Sequence, residues 1–355
     1  MTRQVCCGGI TIGGGAPVRI QSMNNTKTAD IKATLDQIYK LKDCGCDITR
    51  VAVPDMEAAA AIKEIVKASP LPVVADIHFD YRLAIEACRN GASKIRINPG
   101  NIGGSDRVKE VVAVCKERGI PIRVGVNSGS CERELVDKYG GVCAEALCES
   151  AGKSVRLLED FGFEDIVVSI KSSSAKLTID TYRTLSSQFD YPLHVGVTEA
   201  GTMREGIVKS AVGIGALLAE GIGDTIRVSL TDDPTEEVYA AISILKALGL
   251  KHGGIDFVSC PTCGRTQVPL IELANKVEQK IRSFPYDIKV AVMGCPVNGP
   301  GEAKEADIGL AGGRGEFLLF RKGQIIRKIS AEDTDAAVDE FVDEVIRVGE
   351  ESKTN

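Results

Sequence analysis

Cys260-Pro261-Thr262-Cys263 and, further on, Cys295-Pro296-Val297-Asn298-Gly299-Pro300-Gly301-Glu302 bring three thiols and a carboxyl to the C-terminal third of the chain. Three thiolates and one oxygen can hold an iron–sulfur cluster with a weakly held fourth iron, which a substrate oxygen can reach. A cysteine pair two apart is shared by zinc ribbons, redox dithiols and clusters, so the pair alone decides nothing. A zinc site would complete its tetrahedron with a fourth cysteine or a histidine, and His252 is the one histidine nearby. A structural zinc knuckle, with Glu302 merely on the surface, therefore stays open. Cys263 precedes a helical pattern over 266–284, whose N-terminal dipole favours thiolate.

A second group of chemical residues sits at the ends of short β-branched runs. In chain order these are Gln21 and Ser22, Arg50, Asp76 and His78, Arg96 and Asn98, Arg123 and Asn127, Ser169 and Lys171, Thr198 and Glu199, and Arg227 and Ser229. Side chains two apart on a strand share a face, so Arg96 with Asn98, Ser169 with Lys171 and Arg227 with Ser229 point the same way. Any one arginine reads most simply as half of a salt bridge. Five cations at matching strand ends (Arg50, Arg96, Arg123, Lys171, Arg227) would be costly to gather unless an anion arrives to neutralise them. Arginine presents a planar fork that fits phosphate oxygens and lysine adds a point charge, so the expected ligand is a phosphate or diphosphate. His78 is placed to touch it, whereas His194 reads as a satisfied core residue. Glu199, opening a helix, is the expected proton donor.

These residues need a scaffold that brings strand ends together. The runs cover 18–23, 48–53, 72–77, 94–99, 121–126, 165–170, 192–197 and 225–230, and helical patterns follow at about 32–43, 57–68, 81–90, 105–118, 144–161, 178–188, 202–220 and 234–249. Strands alternating with helices predict βαβ units and a parallel sheet. Eight units in this length predict an α/β fold, a closed (β/α)8 TIM barrel over residues 1–252, with an open doubly wound sheet as the alternative. The connection 127–143 is the longest and reads as a mobile loop at the barrel mouth. A smaller α+β domain is expected over 253–355, with a helix over 266–284, a strand over 288–293, a glycine-rich stretch over 299–315, a hairpin over 316–329 turning at Lys322-Gly323, and a closing helix over 331–349.

The net charge of -6 on 355 residues argues against nucleic acid or an anionic membrane as partner. Met1–Gly15 lacks the apolar run of a leader, and no stretch is long and apolar enough to span a bilayer. Twelve cysteines in such a chain imply reduced thiols in the cytoplasm. The nine outside the two motifs read as small buried hydrophobes.

Taken together, the two cysteine motifs and the segments Ile20-Gln21-Ser22-Met23, Ala75-Asp76-Ile77-His78-Phe79, Arg96-Ile97-Asn98-Pro99-Gly100-Asn101 and Arg123-Val124-Gly125-Val126-Asn127-Ser128-Gly129 resemble the 4-hydroxy-3-methylbut-2-en-1-yl diphosphate synthase family of bacteria. The resemblance covers essentially the whole chain. It implies a two-electron reductive ring opening of 2-C-methyl-D-erythritol 2,4-cyclodiphosphate with loss of water. It implies a 4Fe-4S cluster on Cys260, Cys263, Cys295 and Glu302. Diphosphate contacts fall on Arg50, His78, Arg96, Asn98, Arg123, Asn127, Lys171, Arg227 and Ser229, while Thr198 and Glu199 fall near the reacting carbons. Flavodoxin or ferredoxin is the implied electron donor, and the implied assembly is a homodimer whose active site is shared between subunits. Two rivals from other classes are a zinc-stabilised phosphate-binding barrel enzyme without redox chemistry and an electron carrier that uses its barrel as a docking scaffold.

Overall fold

The computed structural model describes residues 1–297 and 301–353, and the chain divides into two compact units, Met1–Lys251 and His252–Asn355. In the first, eight strands form one parallel sheet: β3 (Arg19–Met23), β4 (Ile48–Ala52), β5 (Val73–Asp76), β6 (Lys94–Ile97), β7 (Ile122–Asn127), β8 (Ile166–Lys171), β9 (His194–Val195) and β10 (Thr225–Ile226). The order β8-β7-β6-β5-β4-β3-β10-β9 returns on itself, because a parallel bridge joins Val168 to Leu193 and the Val168 N–H donates to the Pro192 carbonyl at 2.9 Å. This is the expected TIM barrel. Its last two strands are much shorter than the runs 192–197 and 225–230, and Pro192, which has no N–H to give, delays the start of the first of them. At Gly196 the chains also pinch together, so that an added Cβ would lie 2.4 Å from the Arg227 carbonyl oxygen.

A helix follows each barrel strand. Several are capped by a side chain at the residue before the first turn: Asp30 accepts from the Ala33 N–H at 3.0 Å, Asp55 from Ala58 at 2.8 Å and Ser174 from Leu177 at 3.2 Å. Each such cap is worth about 1 kcal/mol. The outward strand residues Val51, Ala75, Ile95, Val124 and Val168 pack with helix residues such as Ile62, Ala84, Val112 and Leu147 in one continuous apolar cluster. The inward residues of the same strands, among them Arg50, Asp76, Lys94, Arg96 and Arg123, are charged. Barrels of this kind ordinarily fill their interior with branched apolar side chains. Here the main stabilising core lies outside the sheet, and above a small apolar floor of Ile48 and Val74 the inside carries charge.

Residues before the barrel form a hairpin of β1 (Gln4–Cys7) and β2 (Ile10–Gly13) that the sequence pattern did not announce. Its Gly8-Gly9 turn has φ of 56° and 85°, which glycine adopts freely. Cys7 and Ile12 pack on Ile48 and Val74 near the N-terminal ends of the barrel strands, so the hairpin closes the floor. The segment 127–143 is not the open loop expected. It contains a 3-10 turn over Ser128–Ser130 and a helix over Arg133–Tyr139 that stops at Gly140, where φ is 72°. The helix buries only Leu135, too little apolar surface for its periodicity to show in sequence.

The second unit holds a five-stranded sheet in chain order: β11 (Asp256–Ser259), β12 (Lys289–Met293), β13 (Ile308–Gly312), β14 (Glu316–Arg321) and β15 (Gln324–Ser330). The first three are parallel, and the expected hairpin follows antiparallel. Helices Leu270–Ile281 and Thr334–Lys353 cover one face, burying Leu273, Val277, Phe341 and Val345 against Val290, Val292, Leu310 and Phe317. Among the described residues no helix is long and apolar enough to cross a membrane.

Candidate active site

At the C-terminal ends of the barrel strands lies a cavity of about 560 Å³ of empty volume. Arg50, His78, Arg96, Arg123, Asn127, Lys171, Thr198 and Arg227 line it, together with Met23, Asp76 and Ser169. Ten of the strand-end residues singled out from sequence, Asp76 and Ser169 among them, thus meet in one place. Asn98, Glu199 and Ser229 do not line it. Asn98 is buried and its Oδ1 accepts the Gly100 N–H at 3.1 Å, which folds the chain after β6 into a tight turn. Ser229 is half-buried, and Glu199 is exposed. The Glu199 backbone stands at φ 51°, a left-handed conformation that is strained for a glutamate and recurs at functional sites.

One carboxylate organises the cations. The Asp76 side chain is fully buried and accepts from Arg50 Nη2 at 3.0 Å and Arg96 Nη1 at 3.3 Å, with His78 Nε2 at 3.0 Å. Burial opposes its ionisation, but Arg50, His78, Arg96 and Arg123 overcome that and hold the carboxyl below the usual range. A second carboxylate does the same for Arg227. Glu237, buried on the helix Pro234–Ala247, accepts from Arg227 Nη2 at 3.3 Å, from Ser22 Oγ at 3.1 Å and from the Leu230 N–H at 3.0 Å. Two carboxylates do not balance the ring. Burial, and then the neighbouring cations, push Arg50 down to about 10 and Lys171 well below a normal lysine. Buried Nε atoms of Arg50, Arg123 and Arg227 find no partner among the described residues. Such a site demands an anion.

Glycines make room for it. A Cβ on Gly125 would stand 2.4 Å from Arg96 Nε, so glycine there lets the guanidinium cross the barrel axis face. Gly125→Ala is therefore expected to displace Arg96 and raise the substrate KM roughly tenfold, as one lost charge-assisted contact implies, while the circular dichroism spectrum stays unchanged. An unaltered KM would show that Arg96 does not hold substrate.

In the second unit, Cys260 follows β11 and Cys295 lies two residues past β12, so the parallel pairing of the two strands brings both cysteines to the same end of the sheet. The Gly294 N–H donates to Cys260 Sγ at 3.2 Å. Cys263 is exposed and Cys295 buried. The Arg265 N–H and then its guanidinium lower Cys263 toward thiolate, and the same guanidinium feels Cys295 and Glu302. Thus two of the three thiols and the glutamate stand around one exposed arginine. Among the described residues no three metal-binding side chains are close enough to share a single ion. Asn298, Gly299 and Pro300, in the middle of the second motif, lie outside the described residues.

A family model described as the GcpE TIM-barrel domain matches residues 2–242, and one described as the GcpE protein C-terminal domain matches residues 256–346. The chain belongs to the GcpE family. It is 58% identical over 344 residues to the 4-hydroxy-3-methylbut-2-en-1-yl diphosphate synthase (flavodoxin) of Clostridium acetobutylicum, spanning 97% of this chain and 98% of that one. A relative of the same name from Geobacter sulfurreducens is 54% identical over 97% of this chain and 98% of its own. Among solved structures, the dihydropteroate synthase of Yersinia pestis is similar with a TM-score of 0.48 at 12% identity, covering 70% of this chain and 100% of that one.

Within this GcpE-family barrel, Glu237 is the functional residue that reasoning from sequence left out, and Asp76, though picked out as a strand-end residue, was given no part in fixing the arginines. Asp76 stands in the same strand-end motif as His78, and its two-residue spacing from that histidine was the available signal. Glu237 gave none, since a glutamate in the first turn of a helix reads as a dipole partner.

Proposed function

We infer that this GcpE-family chain is an iron–sulfur oxidoreductase that opens 2-C-methyl-D-erythritol 2,4-cyclodiphosphate reductively to 4-hydroxy-3-methylbut-2-en-1-yl diphosphate. Two electrons enter, the ring C–O bond to the diphosphate breaks, a carbon–carbon double bond forms, and the C3 hydroxyl leaves as water. The observation that carries this reading is the under-neutralised ring of Arg50, Arg96, Arg123, Lys171 and Arg227 at the mouth of a GcpE barrel. In this reading Cys260, Cys263, Cys295 and Glu302 hold a 4Fe-4S cluster. Such a cluster, when bound, supplies electrons and a Lewis-acidic iron.

The protein's own groups do the rest. Arg50, Arg96, Arg123 and Arg227 fork onto the diphosphate oxygens, Lys171 adds a point charge, His78 and Asn127 complete the hydrogen bonds, and Asn98 acts from behind the lining by holding the turn after β6. Negative charge grows on the diphosphate as the ring opens, and cations already fixed by Asp76 and Glu237 need not reorganise to meet it. Holding the ring by its phosphates also orients the carbons, which removes part of the entropic barrier. Thr198 positions the C3 hydroxyl, and Glu199 delivers the proton with which it departs.

Relatives of this chain carry flavodoxin in their names, and the same donor, or a ferredoxin, serves here. The reading includes a homodimer with a shared active site, supported by the short connection 250–255, and a cytoplasmic setting, supported by twelve cysteines. The deciding experiment is anaerobic iron and sulfide analysis together with turnover of the cyclic diphosphate by dithionite-reduced protein. Colourless, iron-free protein after anaerobic reconstitution would return the zinc reading. Glu199→Gln is expected to keep the iron content and cut turnover by about 10²–10⁴, the usual worth of a general acid. Full turnover in that variant would remove Glu199 from the reaction.

A further inference from the structure

One more cation is sealed inside the barrel, below the ring. Lys94 opens β6 two residues before Arg96, on the same inward face. Its side chain is fully buried, and among the described residues its Nζ has no hydrogen-bond partner. The charged and titratable groups that face it are Arg50 of β4, Arg123 of β7, His194 of β9 and Cys7 of the floor hairpin. No carboxylate is among them. Among the described residues, the ion pairs of the six cations Arg50, Lys94, Arg96, Arg123, Lys171 and Arg227 go to two carboxylates, Asp76 on a strand and Glu237 on the last barrel helix.

Arginine keeps its proton in any protein environment, so it cannot relieve this crowding. Lysine can, by releasing one. Burial, and then Arg123 and Arg50, push Lys94 down to about 8. His194 is held neutral by the same burial and the same cations. A diphosphate at the mouth supplies the missing counter-charge. Ring opening then turns a cyclic diester into a linear diphosphate with a further ionisable oxygen, so the demand for positive charge rises during the reaction.

Resting on the anion site read above, we propose that Lys94 is a positioning residue that takes up a proton when a diphosphate occupies the barrel mouth, so that the interior gains positive charge in step with its ligand. It never touches the ligand. It acts through the low-dielectric interior on the guanidiniums and the phosphates above it.

Calorimetric titration of the anaerobic, full-length holoprotein with inorganic pyrophosphate, in two buffers of different ionisation enthalpy at pH 8, tests this. Wild type is expected to bind with net proton uptake, and its affinity is expected to fall between pH 7 and 9. Lys94→Met is expected to bind about tenfold more weakly at pH 7, with less uptake and a flatter pH profile. Unchanged affinity and uptake in the variant would overturn the proposal and leave the anion site standing. Absence of pyrophosphate binding by wild type would overturn both. Thermal unfolding without ligand separates the cases further. A buried lysine with a folded pKa below its unfolded value of about 10.4 destabilises the fold at pH below the folded value, and the penalty vanishes above the unfolded one. Lys94→Met should therefore melt higher than wild type at pH 7, and the gap should close toward pH 10. A gap independent of pH would show that Lys94 carries no buried charge.

Discussion

Cys295→Ala is expected to strip iron and acid-labile sulfide from the protein and take turnover below detection, while the far-ultraviolet circular dichroism stays that of wild type. Cys295 is buried just past the end of β12, where Gly294 already donates to Cys260. Removing one thiolate of three leaves a core with too few sulfur anchors, and the affinity of such centres resides in those bonds. The alanine itself costs little in folding, because a free cysteine packs as a small hydrophobe. Cys88→Ala serves as the control. That thiol is buried against Cys115, 3.2 Å away between two barrel helices, and has no part in the cluster reading. Equal iron loss in both variants would mean that the protein had merely been destabilised. Retention of iron and turnover in Cys295→Ala would end the ligand assignment.

Asp76→Asn is expected to lose about 3–5 kcal/mol of stability in urea unfolding, the range for breaking a buried ion network from one side. The carboxylate serves Arg50, Arg96 and His78 at once, with no exposure to water. Its contribution has a pH signature. The folded carboxyl ionises below the unfolded one, so the stabilisation is complete above the unfolded pKa of about 3.9 and drains away as pH falls below that. Wild type and variant should converge in stability on acidification, and parallel curves would contradict the network. For catalysis, kcat/KM should fall about 100-fold, since guanidiniums adrift by an ångström no longer align the ring. Inorganic pyrophosphate affinity should fall less. Losing a negative charge favours an anion even as lost alignment opposes it.

Much of this was legible in the order of residues, and the exceptions share a cause. Strand runs ending in Arg50, His78, Arg96, Lys171 and Arg227 signalled a barrel with a charged mouth, because period-two alternation survives when one face is apolar and the other is not. β11 and β13 were missed for opposite reasons. The first is partly exposed at the sheet edge and short, and the second, Ile-Gly-Leu-Ala-Gly, reads as a loop because its glycines sit where larger side chains could not fit. A Cβ on Gly309 would meet the Phe320 ring at 2.2 Å. The floor hairpin escaped because four-residue strands carry too little periodicity to stand out. Glu237 escaped because it sits in the first turn of a helix, off the strand ends, and Ser22 is brought to it across 215 positions only when the barrel closes.

The hairpin over Gln4–Gly13 makes the barrel a cup instead of a tube. With Cys7 and Ile12 seated on Ile48 and Val74, apolar side chains close the end opposite the mouth, and an anion bound as proposed would enter from the mouth. Field lines from the buried guanidiniums then leave through the mouth alone, undamped from behind. A chain beginning at Gly14 would still have all eight barrel strands, yet solvent could rise to Lys94 and Arg123 from the opposite end, and the attraction felt at the mouth would be screened as it is in an open pore.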